Sequence, residues 1–183
     1  SACGDMWNGI NNTGGTVTLT SSTVNDALAA VKSVSGNAVD VTGCVFDHNY
    51  TAIWLENGSY SASDIYGNTF ENTGGQINKA PHAGDDPLHH IYLNNVSAVT
   101  VGDASQAVNT FHNALNGIYA EASNLNVYNN IFNNIGGNNY QNRAIVPPVP
   151  PISIPNAAIN ARGVKAGYKT LNVGGASTGQ SNT

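Results

Sequence analysis

Charged residues are scarce in this sequence. Only 9% of the 183 residues are Asp, Glu, Lys or Arg, and just six of them are Lys or Arg, which leaves a net charge of −5. A typical soluble domain carries a charge on about a quarter of its residues. Six basic residues cannot form the positive stripe that binds a phosphate backbone, so we expect no nucleic-acid partner.

Long apolar runs are missing as well. No segment approaches the roughly 18 to 20 apolar residues that cross a bilayer. Residues 1–5 lack the basic and apolar regions of a signal peptide. We therefore expect no membrane insertion. A secretion signal, if the protein has one, was removed or belongs to a longer precursor.

Amides and glycines take the place of charge. The chain contains 28 Asn and 20 Gly, and 40% of its residues are hydrophobic. This apolar content is enough to order the chain around a core, which excludes a disordered tail. The composition favours a β-rich extracellular domain.

Short segments that end in a large apolar residue recur along the chain. Val24 and Phe46 are 22 residues apart, Phe46 and Phe70 are 24 apart, and Phe111 and Phe132 are 21 apart. Asn-rich and Gly-rich turns separate these segments. A period of about 21–24 residues predicts an all-β parallel solenoid.

The same register predicts two further columns of stacked residues. Seven residues after three of these positions come Val31, Ile53 and Ile118. Equivalent residues of successive turns lie about 4.8 Å apart, so stacked buried amides can satisfy one another. Two residues before the Phe positions, an inward amide ladder is therefore predicted from Ser22, Cys44, Asn68, Asn109 and Asn130.

Five phrases of this repeat are Val45–Asn49, Ala52–Leu55, Gly67–Phe70, Gly117–Ala120 and Asn129–Phe132. They resemble the repeats of the pectate-lyase-like superfamily of right-handed parallel β-helices. The opening, Gly4–Ile10 followed by Gly14–Leu19, resembles repeats of secreted Bacteroidetes-type surface proteins. The resemblance covers roughly residues 4–140 and implies a right-handed parallel β-helix. We expect a single such domain over residues 1–183, on the cell surface or outside the cell. The resemblance implies no single activity, because that superfamily includes lyases, hydrolases, epimerases and inert scaffolds.

The repeat is interrupted after Phe70. The next apolar landmark, Ile91, follows after 21 residues instead of seven, so an insert is predicted at about residues 74–88. Imidazoles and carboxylates in the insert and at its return could bind a divalent ion, or supply a base and its orienting partner. No HExxH-type spacing occurs, so we assign no metal and no cofactor. The candidate binding residues are His82, Asp85, Asp86, His89 and His90.

Two further sets of candidates flank the Ile column. Glu56, Asn94 and Glu121 are predicted to stack on an outer face, with the two carboxylates about 9–10 Å apart. That separation is near the upper end for an inverting glycosidase pair, although a hydrated face explains it equally well. The predicted aromatic stripe, a candidate glycan-binding surface, consists of Trp54, Tyr92 and Tyr119.

The motifs of glycan-cleaving β-helix families are incomplete here. Polygalacturonase-type hydrolases have an Asp pair on one turn and a Gly-His-Gly segment later. This sequence has Gly84-Asp85-Asp86, but the pair falls in the insert and no Gly-His-Gly follows. We therefore assign no catalytic residue.

A proline-rich arm is predicted at about residues 143–160. Proline fixes φ and removes a backbone donor, so this segment cannot be a central strand. The arm either covers an apolar face of its own solenoid or reaches a neighbouring subunit or domain. Its prolines are Pro147, Pro148, Pro150, Pro151 and Pro155.

The repeat is predicted to resume after the arm. Tyr168–Gly175 matches Val99–Asp103, and the last residues align with Val108–Thr110 in the middle of a turn. We therefore expect a fragment or one link of a longer chain.

The two cysteines are not expected to form a disulfide. Cys3 and Cys44 are predicted to lie two turns apart, about 9–10 Å, which exceeds the roughly 7 Å limit for a disulfide. We expect them to be unbonded.

These features favour a non-catalytic structural or adhesive module, such as a fibre or surface-layer subunit. Its expected partners are identical subunits, neighbouring domains of the same chain, or a glycan. The alternatives are a polysaccharide-active enzyme and a glycan-binding module.

Overall fold

Short segments of alternating burial build this fold. In Val39–Thr42, the side chains of Val39 and Val41 are fully buried, whereas Asp40 and Thr42 are half-buried. Successive residues of a strand point to opposite faces, so this pattern gives a strand with one face on the core.

The structure is a computed structural model, and it describes residues 4–136, 157–162 and 171–173.

Within these ranges the chain forms strands and no helix, and therefore no helix that could cross a membrane. The strands are β1 Ile10–Asn12, β2 Val17–Thr20, β3 Thr23–Asn25, β4 Ala29–Val34, β5 Val39–Thr42, β6 Val45–Asp47, β7 Thr51–Ser59, β8 Ile65–Tyr66, β9 Thr69–Glu71, β10 His89–Val101, β11 Asn109–Ala114, β12 Asn116–Glu121, β13 Leu125–Val127, β14 Asn130–Ile135, β15 Ala157–Arg162 and β16 Leu171–Val173.

All strand pairs between successive turns are parallel. Sheet A has the order β1-β4-β7-β10-β12-β15, sheet B has the order β2-β5-β8, and sheet C has the order β3-β6-β9-β11-β14. The last residues of β10 also pair with β13, and β13 pairs with β16, with Val99 opposite Leu125 and Leu125 opposite Leu171. This arrangement confirms the predicted parallel solenoid and the predicted return of the repeat at Leu171–Val173.

Apolar columns fill the interior. In sheet A, Val31, Ile53, Ile91 and Ile118 lie in register and are completely buried. In sheet C, neighbouring rings stack with centroids 5.2 Å, 4.6 Å and 4.7 Å apart. Both predicted columns are therefore confirmed, and the stacked rings are those of Phe46, Phe70, Phe111 and Phe132.

The predicted amide ladder is confirmed over three turns. Asn68, Asn109 and Asn130 are each at most 1% exposed. Nδ2 of Asn68 lies 3.2 Å from Oδ1 of Asn109, and Nδ2 of Asn109 lies 2.9 Å from Oδ1 of Asn130. At the next position, Oδ1 of Asn68 accepts from the backbone N–H of Cys44. Cys44 itself is a free buried thiol, as expected, and Cys3 lies outside the described residues.

The bend after sheet A repeats one backbone conformation in successive turns. Ser35, Asn57, Asn95 and Ala122 all have positive φ, between 46° and 60°. The strand registers place these four residues above one another. Asn and Asp tolerate this left-handed region better than other residues with a Cβ. We call this set the first bend.

The interruptions of the repeat fall where the sequence indicated. Residues 72–88 separate β9 from β10 and contain the predicted insert. The last residues of the predicted arm belong to the solenoid, since β15 begins at Ala157 and pairs with β12. The five prolines of the arm lie outside the described residues.

Candidate functional site

The insert is folded onto the solenoid instead of projecting into solvent. Ile77 is 1% exposed. The backbone N–H of Ala80 donates to the carbonyl of Gly4, and the N–H of Met6 donates back to Ala80. Nζ of Lys79 lies 3.3 Å from a carboxylate oxygen of Asp26. The insert, which lies between β9 and β10, is therefore bonded to the beginning of the chain.

Two of the candidate residues in the insert bind each other. Nδ1 of His82 lies 3.0 Å from Oδ2 of Asp85, and the backbone N–H of Asp85 donates to the carbonyl of His82. The imidazole also stacks on the ring of Tyr50, with centroids 3.5 Å apart and an interplanar angle of 10°. This pair could orient a base, but one ring face and one nitrogen of the imidazole are already engaged.

His90 is part of the core. It is 1% exposed, and its ring lies 5.9 Å from Phe70 and 6.1 Å from Phe111. Nε2 donates to the backbone carbonyl of His112 at 2.7 Å. Burial lowers the pKa of His90 to about 4 despite this hydrogen bond, so the imidazole is neutral at pH 7. A buried neutral imidazole bonded in this way fills space and cannot reach a surface ligand.

His89 does not share the surroundings of His90, because its ring lies against the outer rings of Tyr92 and Tyr119. It is 5% exposed and stacks on Tyr119 at 4.7 Å and on Tyr92 at 5.5 Å. Burial and the nearby His90 lower its pKa to about 4. Nδ1 of His89 has no hydrogen-bond partner among the described residues. The two adjacent histidines therefore do not form one site.

The predicted aromatic stripe exists on the outer face of sheet A. Trp54, Tyr92 and Tyr119 lie in register on three successive turns. Tyr92 and Tyr119 are nearly parallel, with centroids 5.7 Å apart, and Trp54 is tilted against Tyr92 at 4.6 Å. Nζ of Lys32 lies 4.4 Å from the centroid of Trp54. The rings are half-buried and cover one another in part, so they stabilise the turns that carry them.

The predicted polar column lies beside the stripe. Glu56, Asn94 and Glu121 occupy successive turns in register. Glu56 is paired with Lys32 at 3.4 Å. Burial, together with the negative charges of Glu121 and Glu56, raises the pKa of Tyr92. The outer face of sheet A therefore combines aromatic rings with hydrogen-bond acceptors at each turn.

The structure thus separates the candidates into three places. His82 and Asp85 form a pair in the insert, His90 is in the core, and His89 lies under the aromatic stripe. Asp86 is 9% exposed, just before the chain re-enters the solenoid. No group of three or more His, Cys, Asp or Glu side chains suited to a metal ion occurs among the residues that the structure describes.

Sequence analysis missed the residues that attach the insert. Tyr50 stacks on a histidine 32 positions later, and Asp26 pairs with a lysine 53 positions later. No local pattern marks either contact, because the insert interrupts the repeat from which register was inferred. For the ion pair, the only signal in the sequence is that Lys79 in the insert and Asp26 in a turn carry opposite charges.

Comparison with protein-family models, curated proteins and solved structures gave no match to this chain.

Proposed function

We propose that this chain is a rigid, non-catalytic extracellular β-helix module with a structural or adhesive role, such as a fibre or surface-layer subunit. One observation carries the proposal: most side chains suited to chemistry are engaged within the solenoid. His82 is held by Asp85 and Tyr50, and His90 is buried against the Phe column. A catalytic pair has to reach substrate, and these residues support the fold instead.

Continuous columns support a role as a stiff spacer. The amide ladder and the stacked Phe rings run through consecutive turns, so each turn is bonded to the next by side chains as well as by backbone. The insert between β9 and β10 adds a direct contact with residues 4–6 through Ala80. Solenoids gain stability from such nearest-neighbour interfaces, and their extended shape suits them to spacing and adhesion.

Kinship with the pectate-lyase-like superfamily is part of this proposal. The three parallel sheets and the buried asparagine ladder support it. Fold alone does not determine activity in such a group. The extracellular location rests on the low charge and the Asn-rich composition.

Electron microscopy of the protein purified from its source tests the structural role. We expect fibres or ordered arrays whose repeat matches one chain. Replacing residues 147–155 with a Gly/Ser linker of equal length should abolish assembly, because the proposed arm would lose its apolar prolines. Asn25→Ala, an exposed change on sheet C, should assemble normally. Dispersed single particles of the unaltered protein would rule out the fibre or array role.

A second candidate function is glycan binding without cleavage. The observation that favours it is the pairing of Trp54, Tyr92 and Tyr119 with Glu56, Asn94 and Glu121 on three successive turns. With a rise of about 4.8 Å per turn, a linear polysaccharide along the axis would meet an aromatic edge and an acceptor at each turn. Aromatic rings and a few convergent polar groups are typical of such sites.

Affinity electrophoresis with neutral and acidic polysaccharides tests this second function. Tyr92→Ala should restore free mobility, whereas Tyr66→Ala, a half-buried aromatic on sheet B, should still be retarded. Release of reducing ends or of unsaturated, ultraviolet-absorbing products would instead indicate a polysaccharide-active enzyme. Loss of such activity in Asp85→Ala or Asp86→Ala would place its site in the insert.

A further inference from the structure

Four segments of the sequence have the pattern Asn-x-Ser/Thr without proline at the middle position. They begin at Asn11, Asn49, Asn57 and Asn95. This pattern is the acceptor for N-linked glycosylation in secreted proteins. Sequence alone treats the four as equivalent, but the structure distinguishes them.

Asn49 cannot carry a sugar in the folded protein. It is 2% exposed, and both ends of its amide are used inside the solenoid. Oδ1 accepts from the backbone N–H of Ala27 at 2.9 Å, and Nδ2 donates to the carbonyl of Val24 at 2.7 Å. A glycan on Nδ2 would have to occupy the packed interior next to Val24.

Asn57 and Asn95 have the opposite surroundings. Both are exposed, and both lie in the first bend, with φ of 52° and 55°. They occupy successive turns, and Nδ2 of Asn95 donates to Oδ1 of Asn57 at 2.9 Å. The neighbours in the same bend are small: Ser35 on the turn before and Ala122 on the turn after. Asn11 is also exposed, but it lies within β1, in register with Lys32 on the sheet face.

We propose that the first bend carries an N-linked glycan on Asn57, Asn95 or both. The inference rests on the proposed extracellular location. The donor is an oligosaccharide bound to a lipid diphosphate, and a glycosyltransferase of the cell that makes the protein catalyses the transfer. The bond between the anomeric carbon and the diphosphate oxygen breaks, a bond from that carbon to Nδ2 forms, Nδ2 gives up one proton to a base, and the lipid diphosphate leaves.

The geometry of the bend tolerates this product. A sugar on Nδ2 of Asn57 leaves its Oδ1 unchanged, which is the atom that accepts from Asn95. A sugar on Asn95 leaves one N–H on its Nδ2 for the same bond. The hydroxyl-bearing third residues, Ser59 and Ser97, are both exposed.

The test uses the protein purified from its source, with the cell fraction in which it occurs recorded. Enzymatic release of N-glycans in heavy-oxygen water converts each occupied Asn to labelled Asp, which mass spectrometry of peptides locates. We expect label at Asn57 or Asn95 and none at Asn49. Ser59→Ala with Ser97→Ala should remove the glycan mass completely, while the unfolding midpoint changes little because the hydrogen bonds of both hydroxyls, to Ser61 and to Gly58, are exposed to solvent.

The outcomes separate this inference from the proposed function. Protein recovered outside the cell with unlabelled Asn57 and Asn95 overturns the glycan and leaves the structural role standing. Protein recovered only inside the cell overturns the extracellular role and the glycan with it. Label at Asn49 in correctly folded protein would contradict the burial argument on which the selection of Asn57 and Asn95 depends.

Discussion

Asn109 and Asn130 lie one turn apart in the interior, and Nδ2 of Asn109 donates to Oδ1 of Asn130 at 2.9 Å. The same Nδ2 donates to the carbonyl of Ile65 at 2.9 Å, and Oδ1 of Asn109 accepts from the backbone N–H of Asn68. A single amide thus satisfies three partners in a place that water does not reach. Its neighbours on both sides depend on it.

Asn109→Ala should therefore be strongly destabilising. The change removes the acceptor of the Asn68 N–H and one donor each from Oδ1 of Asn130 and the carbonyl of Ile65, which still accepts from the N–H of Gly102. An unsatisfied buried group costs about 1–3 kcal/mol, so we expect the free energy of unfolding to fall by about that amount. Urea denaturation measures it. Asn133→Ala, an exposed change in β14, serves as the control, and equal losses in both variants would contradict the ladder.

The repeat explains why so much of the fold was predictable. Phe46 and Phe70 are 24 residues apart and Phe111 and Phe132 are 21 apart, and stacking at a fixed rise turns this period into spatial contact. Once the Phe register is known, the residue two positions earlier must stack too. The ladder therefore followed from the period alone.

The site was less predictable because its contacts are not periodic. The stacking of Tyr50 on His82 depends on how the insert folds, and His89 and His90, which are successive residues of β10, contact different rings. Spacing grouped the histidines and aspartates together, whereas burial separates them. Sequence gives the positions of such residues along the chain but not the contacts that the folded insert makes.

Stability should fall on acidification because of the buried histidines. The folded-state pKa values of His89 and His90 are about 4, below the ordinary value of 6.5. Between these values the unfolded chain binds protons that the folded protein does not, so the free energy of unfolding decreases as pH falls from about 6.5 to about 4. The decrease is on the order of a few kcal/mol for the two imidazoles together, since the charge of His90 contributes to the low pKa of His89. Chemical denaturation at a series of pH values measures it.

His90→Gln should flatten this dependence. Gln can still donate to the carbonyl of His112 but does not titrate in this range. His112→Gln is the comparison, since His112 is half-buried and bonds to His90 through its backbone carbonyl, while its imidazole charge adds to the lowering of the pKa of His90. An unchanged slope in His90→Gln would show that the acid sensitivity arises elsewhere.

The insert should depend on its apolar anchor more than on its ion pair. Ile77 is 1% exposed, so Ile77→Ala should cost about 2–5 kcal/mol in the insert. Lys79→Ala removes only a partly exposed pair with Asp26 and should cost less than about 1 kcal/mol. Hydrogen exchange at the amide of Met6, which donates to Ala80, reports on attachment. We expect the Met6 amide to exchange faster in Ile77→Ala and at an unchanged rate in Lys79→Ala. Faster exchange in Lys79→Ala than in Ile77→Ala would show that the ion pair attaches the insert.

Gly102 should be much harder to replace than Gly15, because a Cβ at Gly102 would collide with a neighbouring turn. A Cβ at Gly102 would lie 1.7 Å from the carbonyl oxygen of Tyr128 and 2.9 Å from Nδ2 of Asn130, whereas a Cβ at Gly15 would meet nothing within 4 Å. Both glycines have positive φ, 86° and 79°, so Ala at either pays a similar backbone penalty of about 1 kcal/mol. The difference between the variants therefore isolates the close approach of two turns.

We expect Gly15→Ala to remain near that penalty and Gly102→Ala to lose more than about 3 kcal/mol. The reason is that the carbonyl of Tyr128 also accepts from Nδ2 of Asn130, so moving it to admit a methyl group disturbs the end of the amide ladder. Thermal and urea unfolding of both variants measure the gap. Similar stabilities would mean that the turns can separate at Gly102 without breaking the ladder, and the rigidity inferred for the solenoid would then not extend to this bend.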